Sequence, residues 1–274
     1  SGSGFDPSGG IVFLNSGSDQ TISTHASNYF HTLKSGGGVK TNTAGSDLKI
    51  NGDLLIPFGT FDMGSDANTL DVGGNFTLSG VSFIPYAGVH DIAGNWDDSG
   101  SGNAGFAPSA GKITLSGASS TITTKSDNKF FNLEINASGT KTASTNLDID
   151  GVFTLTAGIF DPGSTSIDIA GNWDDSGNDG GFTPSAGTVT LSGSGTTITT
   201  GSNNNFFNLT STGDKTVQSE LDINGNLTVS SGELAMGTND ADVASSKTVD
   251  CDGTISLSTG VFTANGPSDF TNGT

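Results

Sequence analysis

The sequence Gly-Asn-Trp-Asp-Asp-Ser-Gly occurs at residues 94–100 and again at residues 171–177. The similarity continues outward, with Gly-Phe-x-Pro-Ser-Ala-Gly at 105–111 and 181–187 and Phe-Phe-Asn-Leu at 130–133 and 206–209. The copies lie 77 residues apart at the first motif and 76 at the other two. A long motif that returns at a nearly fixed interval indicates a repeat protein whose units stack on one another.

The repeat unit divides into shorter coils. Ile-Asn-Gly-Asp at 50–53, Val-Gly-Gly-Asn at 72–75 and Ile-Ala-Gly-Asn at 92–95 recur at steps of 22 and 20 residues. We call this recurring segment the rung of the repeat. We expect the same rung at Ile149, Ile169 and Ile223, and in altered form at 251–254. Each coil is therefore predicted to contain about 20 to 28 residues, the length of one turn of a β-solenoid.

The sequence units are predicted at approximately 1–100, 101–176 and 177–274, all within one solenoid over 1–274. The first unit is a looser copy that opens at Phe5, Asp6 and Pro7. The chain starts Ser-Gly-Ser-Gly without an initiator Met, which predicts either a processed form or an excerpt of a longer protein.

Apolar residues alternate with Thr, Ser or Asn over short runs, as at Ile113 and Leu115 or Val189 and Leu191. This period of two predicts short β-strands with one buried face, separated by glycine-rich turns. We expect an all-β fold, a right-handed parallel β-helix of about 11 coils. Tandem β-sandwiches are the alternative architecture.

Four bulky residues occupy corresponding places in the repeat, each two residues after a glycine: Phe61, Phe160, Leu234 and Phe262. We expect these side chains to stack above one another inside the solenoid, because a single coil could not shield them from water. Cys251, the only cysteine, is predicted to be a small buried apolar residue.

The chain carries a formal charge of −19, and its nine basic residues are all lysines. Such a negative field repels phosphate backbones and acidic lipid surfaces, so we expect no binding to nucleic acid. No stretch approaches the length of apolar sequence that a membrane helix needs, so we expect no membrane insertion.

The motif series resembles the β-solenoid repeats of bacterial secreted and surface proteins of the filamentous-haemagglutinin and autotransporter-adhesin kind. The resemblance covers nearly the whole chain and implies export, an extracellular or cell-surface location and a right-handed parallel β-helix. It carries no catalytic residues that could be transferred to this sequence.

Acidic turns are the candidate sites for chemistry. Asp97 and Asp98 in one copy, and Asp174, Asp175 and Asp179 in the other, bring together oxygens that suit calcium. No other cofactor is expected. The Asp pairs also suggest a β-helix polysaccharide hydrolase as an alternative function. Because both pairs are copied with the repeat, however, we expect them to be structural and the protein not to be an enzyme.

The sequence thus predicts a structural extracellular protein. The leading hypothesis is a self-assembling filament or sheath subunit whose copies stack head to tail by β-strand pairing. The alternative is a stalk or adhesin segment of a larger cell-surface protein, for which surface glycans would be the partners.

Overall fold

The computed structural model describes residues 7–25, 27–43, 45–103 and 105–270, and Phe5 and Asp6 of the predicted first motif lie outside them. In the described residues the fold is all-β without helices, and parallel strands stack into a β-solenoid of about 12 turns. The predicted fold class is confirmed, and the parallel pairing excludes the antiparallel sandwich. The handedness of the coils stays a prediction.

The chain divides into two compact units, Ser1–Lys141 and Thr142–Thr274. This division rests on spatial contacts within the chain. The predicted sequence units that end near 100 and 176 describe the period of the repeat, and they stay a prediction.

Short strands build the first unit, and the last of them continues to Ala143. They are β1 (Ile11–Leu14), β2 (Gln20–Ile22), β3 (Thr32–Ser35), β4 (Val39–Asn42), β5 (Leu48–Ile50), β6 (Leu54–Ile56), β7 (Thr60–Asp62), β8 (Leu70–Val72), β9 (Phe76–Leu78), β10 (Ser82–Ile84), β11 (Val89–Ile92), β12 (Trp96–Asp97), β13 (Lys112–Leu115), β14 (Ser120–Thr123) and β15 (Asn132–Ala143).

The second unit has the same construction. Its strands are β16 (Leu147–Ile149), β17 (Phe153–Asp161), β18 (Ile167–Ile169), β19 (Trp173–Asp174), β20 (Thr188–Leu191), β21 (Thr196–Thr199), β22 (Asn208–Ser211), β23 (Lys215–Val217), β24 (Leu221–Ile223), β25 (Leu227–Val229), β26 (Glu233–Gly237), β27 (Ala241–Val243), β28 (Val249–Cys251), β29 (Thr254–Leu257), β30 (Phe262–Ala264) and β31 (Ser268–Asp269).

In the first unit the strands form three parallel ladders, one for each face of the coil. One ladder runs β1-β3-β6-β9-β12-β14, a second β5-β8-β11-β13-β15, and a third β2-β4-β7-β10. Leu54 pairs with Leu33 of the preceding coil and with Phe76 of the next, and all three are fully buried. Each ladder therefore presents its inward residues as a continuous column.

The second unit also has three ladders. They run β16-β18-β20-β22-β25-β28-β31, β17-β19-β21-β23-β26-β29 and β24-β27-β30. Inward positions are again apolar, as along Leu147, Ile167 and Val189.

The predicted rung of the repeat is confirmed where it was clearest. Ile50 pairs with Val72 and Val72 with Ile92, and in the second unit Ile149 pairs with Ile169. Ile223 lies in the corresponding position, because it pairs with Phe206 of the preceding coil and with Val243 of the next, as Ile50 pairs with Phe30 and Val72.

The predicted column of Phe61, Phe160, Leu234 and Phe262 is also wrong. Phe61 packs against Phe83 of the next coil, with ring centroids 6.3 Å apart. Leu234 pairs with Ile255, whereas Phe262 pairs with Ala241 on a different ladder. Most residues of this set are several coils apart, and Leu234 and Phe262, on adjacent coils, lie on different ladders. The neighbour of each is therefore a different residue of the adjacent coil.

The aromatic residues of the three repeat motifs meet in the core instead. Trp96 stacks on Phe76 with centroids 4.3 Å apart and contacts Phe106 and Phe130 at 4.7 and 5.2 Å. The second unit repeats the cluster. There Trp173 contacts Phe153, Phe182 and Phe206 at 4.6, 4.8 and 4.9 Å. The motifs recur because each supplies one ring of this cluster.

The alternation of buried and outward residues in β6 predicts a sharp contrast between two adjacent leucines. Leu54→Ala removes a fully buried side chain from the column and should lower the free energy of unfolding by about 2 to 5 kcal/mol. Leu55→Ala, the matched control on the outward face, should lower it by about 1 kcal/mol or less. Urea unfolding of both variants measures the difference, and equal losses would contradict the register.

Candidate functional site

The predicted acidic sites lie at a corner of the coil, directly after the core tryptophans. In the first copy Asp98 is fully buried, and its Oδ2 accepts a hydrogen bond from Trp96 Nε1 at 3.0 Å. Its Oδ1 accepts one from the backbone N–H of Lys125 in the next coil at 2.9 Å. Burial raises the pKa of Asp98, and these hydrogen bonds with that of Asn128 oppose the rise.

The second copy repeats this corner. Asp175 is fully buried, and its Oδ1 accepts a hydrogen bond from the backbone N–H of Gly201 at 2.8 Å. Burial raises the pKa of Asp175 to about 6. The nearby Trp173 indole stabilises the charged carboxylate and so opposes the rise in the pKa of Asp175. The indole Nε1 and Asp175 Oδ2 do not, however, form a hydrogen bond.

The other three predicted calcium ligands accept hydrogen bonds from nearby turns. Oδ1 of Asp97 accepts from Ser99 N at 3.1 Å and from its Oγ at 2.6 Å, and Asp174 binds Ser176 at the same two distances. Oδ1 of Asp179 accepts from Ser202 N at 2.9 Å. Within the described residues no three His, Cys, Asp or Glu side chains form a group that could hold a metal ion. Calcium binding by these aspartates stays a prediction.

Sequence reasoning missed the asparagine that completes each corner. Asn128 Oδ1 accepts from Phe106 N at 3.1 Å, and its Nδ2 donates to Ser101 Oγ at 2.8 Å. Asn204 does the same in the second copy, accepting from Phe182 N at 3.0 Å and donating to Asn178 O at 2.9 Å. The signal was available, because each asparagine stands two residues before the repeated Phe-Phe pair.

Three buried lysines were also missed. The Nζ of Lys40 donates to the backbone oxygens of Ser16 and Ser18 at 3.0 and 3.2 Å, and Lys215 donates to Thr212 O at 2.5 Å. Lys141 donates to Ala93 O at 3.1 Å and to Ser120 Oγ at 2.7 Å, and burial lowers its pKa to about 8. All three follow a glycine by two residues in corresponding turns, where their ammonium groups pair carbonyls that the turn leaves free.

The histidines and the cysteine form no metal-binding cluster among the described residues. His25 and His31 are exposed. His90 is fully buried, and its Nε2 donates to Pro85 O at 2.8 Å. Cys251 is fully buried as predicted, and burial raises the pKa of its thiol.

Partly exposed core positions distinguish the first described coil and the last. Val12 and Leu14 on β1 occupy the inward column of their ladder but are only half-buried, whereas Leu33, the partner of Val12, is fully buried. On the last coil Phe262 is half-buried, although its ladder partner Ala241 is buried. Apolar side chains are therefore partly accessible at both places.

Comparisons with known protein families, with curated proteins and with solved structures found no match to this chain. In the part of the chain that the structure describes, no helix is long and apolar enough to cross a membrane.

The buried carboxyl of Asp175 predicts a pH dependence with a definite sign. Its pKa is higher in the folded chain, about 6, than the ordinary value of 3.8, so the folded state binds the proton more tightly. Stability from this site is therefore present below about pH 4 and is lost as the pH rises to about 6. Relative to Asp175→Asn, the wild type should lose up to about 3 kcal/mol across this window.

Urea unfolding midpoints of both proteins at pH 4, 5, 6 and 7 measure this effect. Asp98→Asn provides the replicate in the first copy and should shift in the same direction, because burial also raises the pKa of Asp98. Parallel curves for wild type and Asp175→Asn would show that the carboxyl is not desolvated.

Proposed function

We propose that this chain is a structural extracellular protein, a filament or sheath subunit whose copies assemble head to tail by β-strand pairing. The observation that carries the proposal is the partial exposure of core-ladder residues on the first and last described coils. Val12 and Phe262 sit in columns that are buried elsewhere in their ladders. Where two copies meet head to tail, continued parallel pairing would cover Phe262 of one copy and Val12 of the other.

Parallel strand pairing favours this mode of association. An edge strand presents backbone N–H and C=O groups in a regular row, and an added strand satisfies them while its inward side chains extend the core. In this chain the same pairing already joins every coil to the next within each unit, for example Ala241 to Phe262. Assembly would need no new kind of contact.

The net charge of −19 shapes the expected assembly. Copies of so acidic a chain repel one another, and salt screens this repulsion over about 8 Å at physiological ionic strength. Aspartates also face each other on the last coil, where Asp250 pairs with Asp269. We therefore expect association to strengthen as salt is added.

The environment of the aspartate pairs supports a non-catalytic function. A hydrolase needs two carboxyl groups that reach the scissile bond, whereas Asp98 and Asp175 are fully buried and hydrogen-bonded into the corners. The stalk or adhesin alternative uses the same solenoid, with adjoining parts of a larger protein covering the exposed positions. The extracellular location rests on the resemblance of the repeats.

Two blocking variants test the head-to-tail arrangement. Val12→Lys places a charge in the inward column of the first described coil, and Phe262→Lys does so in the last. Wild type should form concentration-dependent polymers, visible by electron microscopy and analytical ultracentrifugation, while each variant alone should stay monomeric. A mixture of the two should form dimers and nothing larger, because each variant keeps one intact end.

Thr216→Lys, at an exposed outward position of β23, adds the same charge away from the ends and should polymerise like wild type. Circular dichroism melts verify that each variant is folded. Wild type that stays monomeric at high concentration and in 0.5 M salt, roughly enough to reduce screening lengths to a few ångströms, would rule out the filament and favour the stalk alternative.

A further inference from the structure

One turn of the first unit carries a tyrosine where the corresponding turns carry glycine. The turn begins with a buried Phe or Leu and ends three residues later at Gly64, Gly163 and Gly237, with φ of 77°, 58° and 59°. The turn that begins at Phe83 ends instead at Tyr86, whose φ is 58°. A bulky residue is strained in this left-handed conformation, whereas glycine is not.

Two contacts hold Tyr86 in place. His90 Nε2 donates to Pro85 O at 2.8 Å, and its burial lowers its pKa, so the ring is held neutral inside the coil. On the other side of Tyr86, the backbone N–H of Ala87 donates to Asp66 Oδ1 at 3.1 Å. Strain that the surroundings hold fixed in this way is characteristic of ligand sites.

Tyr86 borders an open cleft of about 440 Å³, a size suited to a small organic ligand. Buried Phe83 and Pro85 line it, and Tyr86 and Ile84 are each 37% exposed beside it. Pro108 from the next coil also lines it. The cleft therefore offers an accessible aromatic ring in a lining that mixes apolar and polar side chains.

The polar character of the cleft is negative. Asp66 lines it, and the charge of Asp62 is the main cause that raises the pKa of the Tyr86 phenol, with Asp66 adding to it. Among the described residues, neither aspartate forms an ion pair with a lysine. An anionic ligand would be repelled here, and a cationic group would find the Asp66 carboxylate in the lining and the Asp62 carboxylate beside the Tyr86 phenol.

We propose that this cleft binds an amino sugar, a pyranose ring that carries a protonated amine. The ring packs its C–H face on Tyr86, as apolar groups pack on aromatic surfaces. The ammonium group lies toward Asp62 and Asp66, and the sugar hydroxyls donate hydrogen bonds to the same carboxylates. This site goes beyond the proposed assembly and does not depend on it, because the cleft lies within the first unit.

The uniqueness of the tyrosine strengthens the assignment. Structural features of this solenoid recur from copy to copy, as the tryptophan corners do, whereas Tyr86 stands where three other turns carry Gly64, Gly163 and Gly237. Its phenol lies beside the Asp62 carboxylate of the preceding coil, and its partly exposed ring stays accessible to a ligand.

The test is isothermal titration calorimetry with a fully deacetylated glucosamine trimer at pH 6, where its amines are protonated. Tyr86→Gly should abolish binding and leave the melting temperature unchanged or higher, since it relieves the strained backbone. Tyr86→Phe keeps the ring and should bind within about threefold of wild type. Asp62→Asn should weaken binding about tenfold, the effect of roughly 1.4 kcal/mol.

Asp161→Asn is the matched control, because Asp161 accepts from Gly163 N in the second unit as Asp62 accepts from Gly64 N in the first. It should leave binding unchanged. The N-acetylated trimer and free lysine, which lack the amine and the sugar ring respectively, should each bind at least about tenfold more weakly. Equal binding of either one, or full binding by Tyr86→Gly, overturns the proposal.

Discussion

Each coil must bend its backbone at the corners without leaving buried N–H and C=O groups unpaired, and the rest of the structure depends on how this is done. An unpaired buried group costs about 1 to 3 kcal/mol, and a solenoid repeats the problem in every coil. Here Asn128 and Asn204 bind the turns on both sides, and Asn68 does so by accepting from Gly45 N and Ser46 N at 2.7 and 3.0 Å. Two of these bonds go to residues of the aromatic cluster, because Asn128 accepts from Phe106 N and Asn204 from Phe182 N.

The sequence predicted the ladders well, since the step from Ile50 to Val72 to Ile92 is also the pairing of the strands. It did not predict which residues touch. Phe61 and Phe160 occupy equivalent positions in the repeat, but each contacts a residue of the adjacent coil. Phe61 pairs with Phe83, and Phe160 pairs with Phe182.

The polar corners could be predicted less well, for a physical reason. Asparagine is frequent in turns and lysine is ordinarily exposed, so a single sequence gives no ground for burying Asn128 or Lys141. Their recurrence in the repeat was the usable signal. The Asp97 and Asp98 pair was expected to be structural, and in the structure the Asp98 carboxylate accepts a hydrogen bond from the backbone of the next coil. Whether these turns also take calcium stays a prediction.

Stacking a repeated acidic sequence also brings like charges together. Asp222 pairs with Asp242, and Asp148 with Asp168, at the spacing of neighbouring strands, about 4.8 Å. Burial and the charge of Asp242 raise the pKa of Asp222. Such pairs oppose stability when directly opposed, so the interior columns must outweigh a repulsion that the fold itself creates.

The pairing distances have a consequence for how the chain acquires its structure. Leu209 pairs with Leu227 only 18 residues later, and even the wide turn between Trp96 and Ile122 spans 26. Nearly every contact is thus local in sequence by the standard of all-β proteins, whose folding is slowed by the closure of long loops. A nascent chain could wind each coil onto the last as it emerges, so that within each unit the order of synthesis would also be the order of folding.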